Sequence, residues 1–330
     1  MRSGRQRGTL GIVGTLVWDR IVPNASPFDA LEGWGGIAYA LVAAAAVLPC
    51  GWTLRPLIKI GDDFAERARP LLRSLPRLDS SSMLTVPAPN NRVELRYHSD
   101  ADRTERLSGG VPGWSPVELR RASTGCDALL VNFISGHELS LTAAEELRTG
   151  FPGPMYADLH SLFLGVESDG TRVPRALDEW RRWCACFDAV QMNEAEFALL
   201  ASSVPDAPER EVLGTGVRLL AITRGRRGAT YVTFDGEVVD PYQWRRRSTD
   251  SRSSSMAGAR VVTRDVRLPA ARRGDPTGCG DVWGAVMFAR LLAGDGVRRS
   301  AEEANRLAAL NVEQRGVERL MEAFASEEQL

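Results

Sequence analysis

The chain has 330 residues, 44% of them apolar, a formal charge of -1 and a pI of about 6.4. That length supports one large core or two unequal domains. The near-balanced charge asks for neither nucleic acid nor an anionic membrane as partner. Lys59 is the only lysine and Ile60 follows it, so no Gly-Lys-Ser/Thr phosphate loop exists and a P-loop NTPase is excluded. The three histidines, at 98, 137 and 160, form no His-Arg-Asp loop, which excludes a protein kinase. The five cysteines, Cys50, Cys126, Cys184, Cys186 and Cys279, are odd in number and irregular in spacing, a pattern of reduced thiols in a cytoplasm. The basic start soon reaches Asp19 and Arg20, too early for a signal peptide. The apolar run 38–50 is too short to span a bilayer and predicts a buried helix.

In chain order, residues 10–17, 54–61, 127–134, 153–159, 187–192, 218–224 and 229–234 read as strands, several apolar on both faces. Residues 37–48, 63–75, 141–150, 173–187 and 194–202 read as helices between them. Apolar strands alternating with amphipathic helices predict a mostly parallel sheet covered on both sides, with ligands bound beyond the carboxyl ends of its strands. Residues 81–114 break the alternation. Period-2 patterning with turn residues predicts an antiparallel β flap growing out of the core. Residues 245–260, rich in arginine and serine, predict a flexible surface loop.

The segment Gly274-Asp275-Pro276-Thr277-Gly278-Cys279-Gly280-Asp281 stands before an apolar helix. Glycines at a helix start expose free N–H groups where the helix dipole adds positive charge, which makes an anion site. An aspartate there repels the same anion. Asp281 therefore reads either as a cap that charges the helix start, or as a base that takes a proton from a hydroxyl attacking a bound phosphate. Asn193 and Glu196 likewise read in two ways, as a capping box or as oxygen groups that orient a hydrated hard cation.

The segment DPTGCGDVWGA resembles the C-terminal signature of the ribokinase-like (PfkB) carbohydrate kinases. The resemblance spans residues 8–320 and implies a three-layer α/β/α sandwich with a mostly parallel sheet and a small β lid, built from 81–114 and part of 15–34. It makes Asp281 the catalytic base and the amides of Gly278, Cys279 and Gly280 the anion hole. Asp19 on the first strand, Gly35 and Gly36 at the next helix start, and Asn132 become acceptor contacts. Ala40 stands where the family often has an asparagine. QMNEAEF matches the Asn-x-x-Glu motif, giving Asn193 and Glu196 as indirect Mg²⁺ ligands through water. Thr223, Gly225, Gly228 and Asn305 line the ATP site, and Arg224 reaches the phosphates. Asn90, Arg92 and Arg103 are lid candidates. The implied activity is ATP-dependent phosphorylation of a hydroxymethyl group on a sugar or sugar derivative. The alternatives are a nucleoside acceptor on the same fold or a non-catalytic sensor. The partners expected are a small sugar-like molecule and a second copy through the lid, with no nucleic acid or membrane.

Overall fold

The computed structural model describes residues 7–24, 30–98, 103–204, 206–236, 240–244, 259–268, 272 and 274–327. An eight-stranded sheet forms the middle layer. Its order is Val261–Val266, Ala229–Phe234, Leu219–Thr223, Ala189–Asn193, Met155–Asp158, Ala128–Asn132, Gly8–Val13 and Trp52–Leu57. The last six run parallel, and the first two join antiparallel at one edge.

The continuous apolar runs follow from burial on both faces. Along Ala128–Asn132, Ala128 and Leu130 face one core while Leu129 and Val131 face the other. The first core is closed by the helices Ile37–Val47, Cys279–Leu292 and Val297–Val312. The second is closed by Leu141–Gly150, Trp180–Ala185 and Pro208–Gly214. The predicted α/β/α sandwich is therefore the observed fold.

The boundaries differ in four places, the first being the run 54–61, which divides into Trp52–Leu57 of the central sheet and Lys59–Gly61 of a separate two-stranded one. The apolar run 10–17 is two strands, because the chain turns at Gly14 and Thr15 and passes from the central sheet into a smaller one at Leu16–Val22. Of the predicted helix 173–187 only Trp180–Ala185 is helical. Arg172–Pro174 instead pairs antiparallel with Leu164–Val166, as befits a Val-Pro step whose proline disfavours helix in the residue before it. Leu84–Val86, placed in the flap by its pattern, pairs parallel with Lys59–Gly61. Residues 245–258 of the predicted Arg/Ser loop lie outside the described residues.

The smaller sheet has four strands in the order Leu31–Gly36, Leu16–Val22, Arg92–Tyr97 and Arg103–Ser108. Alternate residues of a strand point to opposite faces, and this sheet uses both. Trp18 and Trp34 form a T-shaped pair at 5.2 Å and meet Phe64 of helix Asp62–Ser74, with the Arg67 guanidinium 3.8 Å over Trp18. That anchors one face to the body of the protein. The next residue along the strand, Asp19, is turned the other way and buried.

Candidate active site

The carboxyl ends of the parallel strands converge on the start of helix Cys279–Leu292. Gly278 caps this helix with φ 75°, a left-handed conformation that favours glycine. A Cβ on Gly278 would also stand 2.4 Å from the Tyr39 ring. Asp281 lies in the first turn of the helix. Its Oδ1 accepts a 2.8 Å hydrogen bond from Asn132 Nδ2, at the end of strand Ala128–Asn132. Burial pushes the Asp281 carboxyl up to about 6, with Asp158 adding to the effect and His160 and Asn132 opposing it. A carboxylate with a pKa near neutrality is suited to taking up and releasing a proton.

The Cys279 side chain turns away from the loop. Its thiol donates to Ala308 O at 3.4 Å and accepts from Asn311 Nδ2 at 3.3 Å, and burial pushes it up to about 12. The thiol at position 279 is thus committed to the fold, and its backbone N–H donates to Pro276 O at 3.1 Å, so of the three expected anion-hole amides this one is engaged within the loop. Gly280 has open space: a Cβ there would meet nothing nearer than 3.8 Å.

On one side of Asp281 lies Asp19, from the small sheet. Its carboxyl is raised well above the usual range, first by burial and then by Glu105, Asp281 and Asp275, with Arg103 opposing. Gly35 makes room for it, since a Cβ there would sit 1.7 Å from Asp19 Oδ2. Gly36 caps helix Ile37–Val47 with φ 57°. Asp19, Gly35 and Gly36 thus share one wall. Asn132, expected as an acceptor contact, instead holds Asp281, and its Oδ1 is buried with no hydrogen-bond partner. The small sheet also touches the signature loop. Tyr97 donates to Asp275 Oδ1 at 3.3 Å, and Arg103 Nη1 donates to the Tyr97 oxygen at 3.1 Å. Arg92 pairs with Asp63. Asn90 is wholly buried, bridging Gly61 N and Leu16 O as a joint of the sheet.

On the other side, Asn193 and Glu196 form a complete capping box on helix Glu194–Ser202. Burial pushes the Glu196 carboxyl up to about 7, Asp158 adding and His160 opposing. Both are oxygen donors, which suits a hard cation held through water. Thr223 ends strand Leu219–Thr223, Gly225 begins the turn Gly225–Arg227, and Gly228 follows it at φ 88°. Arg224, expected at the phosphates, is held by Thr230 at 2.7 Å and Asp265 at 3.1 Å. Asn305 is buried, accepting from Trp283 Nε1 at 2.9 Å and donating to Val266 O at 2.8 Å. Each polar atom of its side chain makes one bond within the fold, which leaves one N–H and one lone pair on a buried side chain.

Three site residues escaped the sequence reading: Asp158, His160 and Gln191. Asp158 ends strand Met155–Asp158 and accepts from His160 N and His160 Nδ1, each at 3.1 Å, and from Gln191 Nε2 at 2.8 Å. Gln191 also donates to Gly280 O at 3.0 Å and accepts from Tyr156 OH at 3.0 Å. Ligand-type atoms of Asp158, His160 and Asp281 all lie within 4.8 Å of one another. The available signal was an Asp and a His at the carboxyl end of an apolar strand, where α/β sheets place their ligands.

The pfkB family carbohydrate kinase model matches residues 169–323. No curated protein matches the chain. Among solved structures, a pyrophosphate-dependent kinase in the ribokinase family, in a sulfate complex, superposes with a TM-score of 0.73 at 16% identity, covering 93% of this chain and 96% of that one. Ribokinase from Thermotoga maritima gives 0.68 at 16% identity, with 97% and 99% covered. A nucleoside kinase from Methanocaldococcus jannaschii gives 0.66 at 14% identity, with 98% and 100% covered. At such identities these likenesses speak to the fold. The family match over residues 169–323 and the shared fold make the chain similar to the ribokinase-like (PfkB) kinases.

Proposed function

We propose that this chain transfers a phosphoryl group from ATP to the hydroxymethyl group of a sugar or sugar derivative. The observation that carries this reading is the setting of Asp281. Its carboxylate stands in the first turn of a glycine-capped helix, held by Asn132, with its affinity for protons raised by burial. Asp19 and the Gly35–Gly36 wall present hydroxyl-binding groups on one side. The small sheet acts as the lid over the acceptor, tied to the signature loop through Tyr97. Asp281 takes the hydroxyl proton as the acceptor oxygen attacks. The amides of Gly278 and Gly280 stabilise the charge on the phosphoryl group, and that of Cys279 joins them by leaving Pro276 O. Asn193 and Glu196 would hold Mg²⁺ through water, and the ion would supply charge neutralisation at the donor phosphates when bound.

Pyrophosphate as donor is the second reading. The burial of Asn305 between Trp283 and Val266 favours it, and one structural neighbour is described as a pyrophosphate-dependent kinase. The deciding experiment is a screen for phosphate transfer from ATP and from pyrophosphate. It covers sugars, sugar acids, polyols and nucleosides, with wild type beside Asp281→Asn. Turnover with one donor that Asp281→Asn abolishes supports the reading; equal turnover by both proteins refutes the assigned base.

A further inference from the structure

We infer that His160 is a further catalytic residue of the phosphoryl transfer, its ring fixed by Asp158 beside Asp281 so that the remaining ring nitrogen meets the phosphoryl group. The inference rests on the phosphotransfer reading above and assigns a residue to the donor half of that site.

Four observations support it. The first is placement: a ring nitrogen of His160 lies within 4.8 Å of both an Asp158 and an Asp281 carboxylate oxygen. The second is fixation. Asp158 Oδ1 holds His160 Nδ1, and Gln191 ties the other oxygen of Asp158 to the carbonyl of Gly280 in the signature loop. The ring and the anion loop are therefore registered to one another through two side chains. Among the described residues no protein group bonds Nε2, and the His160 side chain is 29% exposed. The third is supply of positive charge. Lys59, the only lysine, is spent on Glu118 and Gly113 O, and Arg224 on Thr230 and Asp265. Arg103 lies on the acceptor side, bonded to Tyr97. The fourth is electrostatic. Burial opposes the charged ring, but Asp158, Asp281 and Glu196 outweigh it and push its pKa up to about 10. A metal ion fits the same trio less well, because both oxygens of Asp158 already accept hydrogen bonds.

In the step itself, the acceptor oxygen forms a bond to phosphorus as the bond from phosphorus to the donor oxygen breaks. The acceptor proton passes to Asp281. His160 keeps its proton and offers a charged hydrogen bond to a phosphoryl oxygen, strengthened as charge builds there. It also lowers the pKa of Asp281. The other titratable groups around Asp281 are Asp158, Glu196, Asp19, Asp275, Cys279 and Tyr39. These are unchanged in a His160 variant.

The test uses the full chain with His160→Gln, His160→Arg and Asp158→Asn, each checked for folding by thermal melt. His160→Gln is expected to lower kcat about 100-fold and raise the donor KM, with the acceptor KM little changed. The acidic limb of its pH–rate profile moves to higher pH, because Asp281 loses a stabilising charge. His160→Arg recovers part of kcat and returns the limb toward that of wild type. A folded His160→Gln with wild-type kcat overturns the inference. So does a His160→Arg that behaves like His160→Gln with both limbs unmoved, the result of a purely structural role. A second readout needs no turnover: ¹⁵N NMR of the histidine ring, with and without inorganic pyrophosphate. A doubly protonated ring near pH 7.5 that shifts on pyrophosphate addition supports the inference. A neutral ring or no shift overturns it. Should no donor and acceptor pair turn over, the phosphotransfer reading fails by itself, and the NMR result still decides the role of His160.

Discussion

Asn132 and Asp281, 149 positions apart, are joined by a 2.8 Å hydrogen bond between the end of a central strand and the first turn of the helix Cys279–Leu292. The bond leaves Asn132 Oδ1 buried and unpartnered, an arrangement that costs stability and marks a residue kept for something other than folding. It aims Asp281. Asn132→Ala is therefore expected to lower kcat by roughly tenfold or more, since small misplacements of a base are expensive, while the acceptor KM changes little. Steady-state kinetics with varied acceptor checks this. A raised acceptor KM at unchanged kcat would return Asn132 to the role of substrate contact.

The acid limb of the pH–rate profile follows from the same carboxylate. As the proposed base, Asp281 works only when deprotonated, and burial holds its pKa up to about 6. Activity is thus expected to rise with pH through about 6 and then level off. The linkage to stability has the opposite sign. An acid whose pKa is raised in the folded protein weakens the fold as pH climbs from its unfolded value through its folded value. Asp281→Asn removes that cost and keeps an oxygen for Asn132 to bond. It should melt a few degrees higher than wild type at pH 8, as active-site substitutions often do, while losing turnover by a factor on the order of 10³. A lower melting temperature would mean that the charge supports the fold.

Asp19 shares a wall with Gly35 and Gly36; on the proposed reading that wall receives the acceptor, and the effects of changing it should stay there. Asp19→Ala is expected to raise the acceptor KM by about an order of magnitude and leave the donor KM nearly unchanged, consistent with the loss of hydrogen bonds worth roughly 0.5–1.5 kcal/mol each. Initial rates with each substrate varied in turn measure both. An equal rise in the two constants would contradict an acceptor role.

The layers, the parallel order and the anion loop were legible in the sequence because each is a local signal. Apolar runs such as Ala128–Asn132 mark strands buried on both faces, and Gly278 before an apolar helix marks the helix start. What escaped depended on distant partners. The apolar run 10–17 looked like one strand, since nothing in its pattern shows that Leu16–Val22 leaves for another sheet. Asn305 reads from the sequence as a residue of the ATP site, and only the fold places Trp283 and Val266 against it. Asp158 and His160 carry no spacing rule of their own, and only the topology brings them to Asp281.

The two loop glycines separate fold from chemistry. Gly278 has φ 75°, and a Cβ there would meet the Tyr39 ring at 2.4 Å. Tyr39 is itself buried in helix Ile37–Val47 and has little room to yield. Gly278→Ala thus adds backbone strain of about 1 kcal/mol or more to a steric clash, and it should lower both melting temperature and activity. Gly280 lies within the helix at ordinary φ, with nothing closer than 3.8 Å to an added Cβ. Gly280→Ala should keep or slightly raise the melting temperature, since alanine favours helix. Its methyl group instead crowds the space an anion would occupy, so the donor KM should rise. Thermal melts beside donor-varied kinetics distinguish the two. If Gly280→Ala keeps both its stability and its donor KM, the donor phosphate does not approach this turn of the helix.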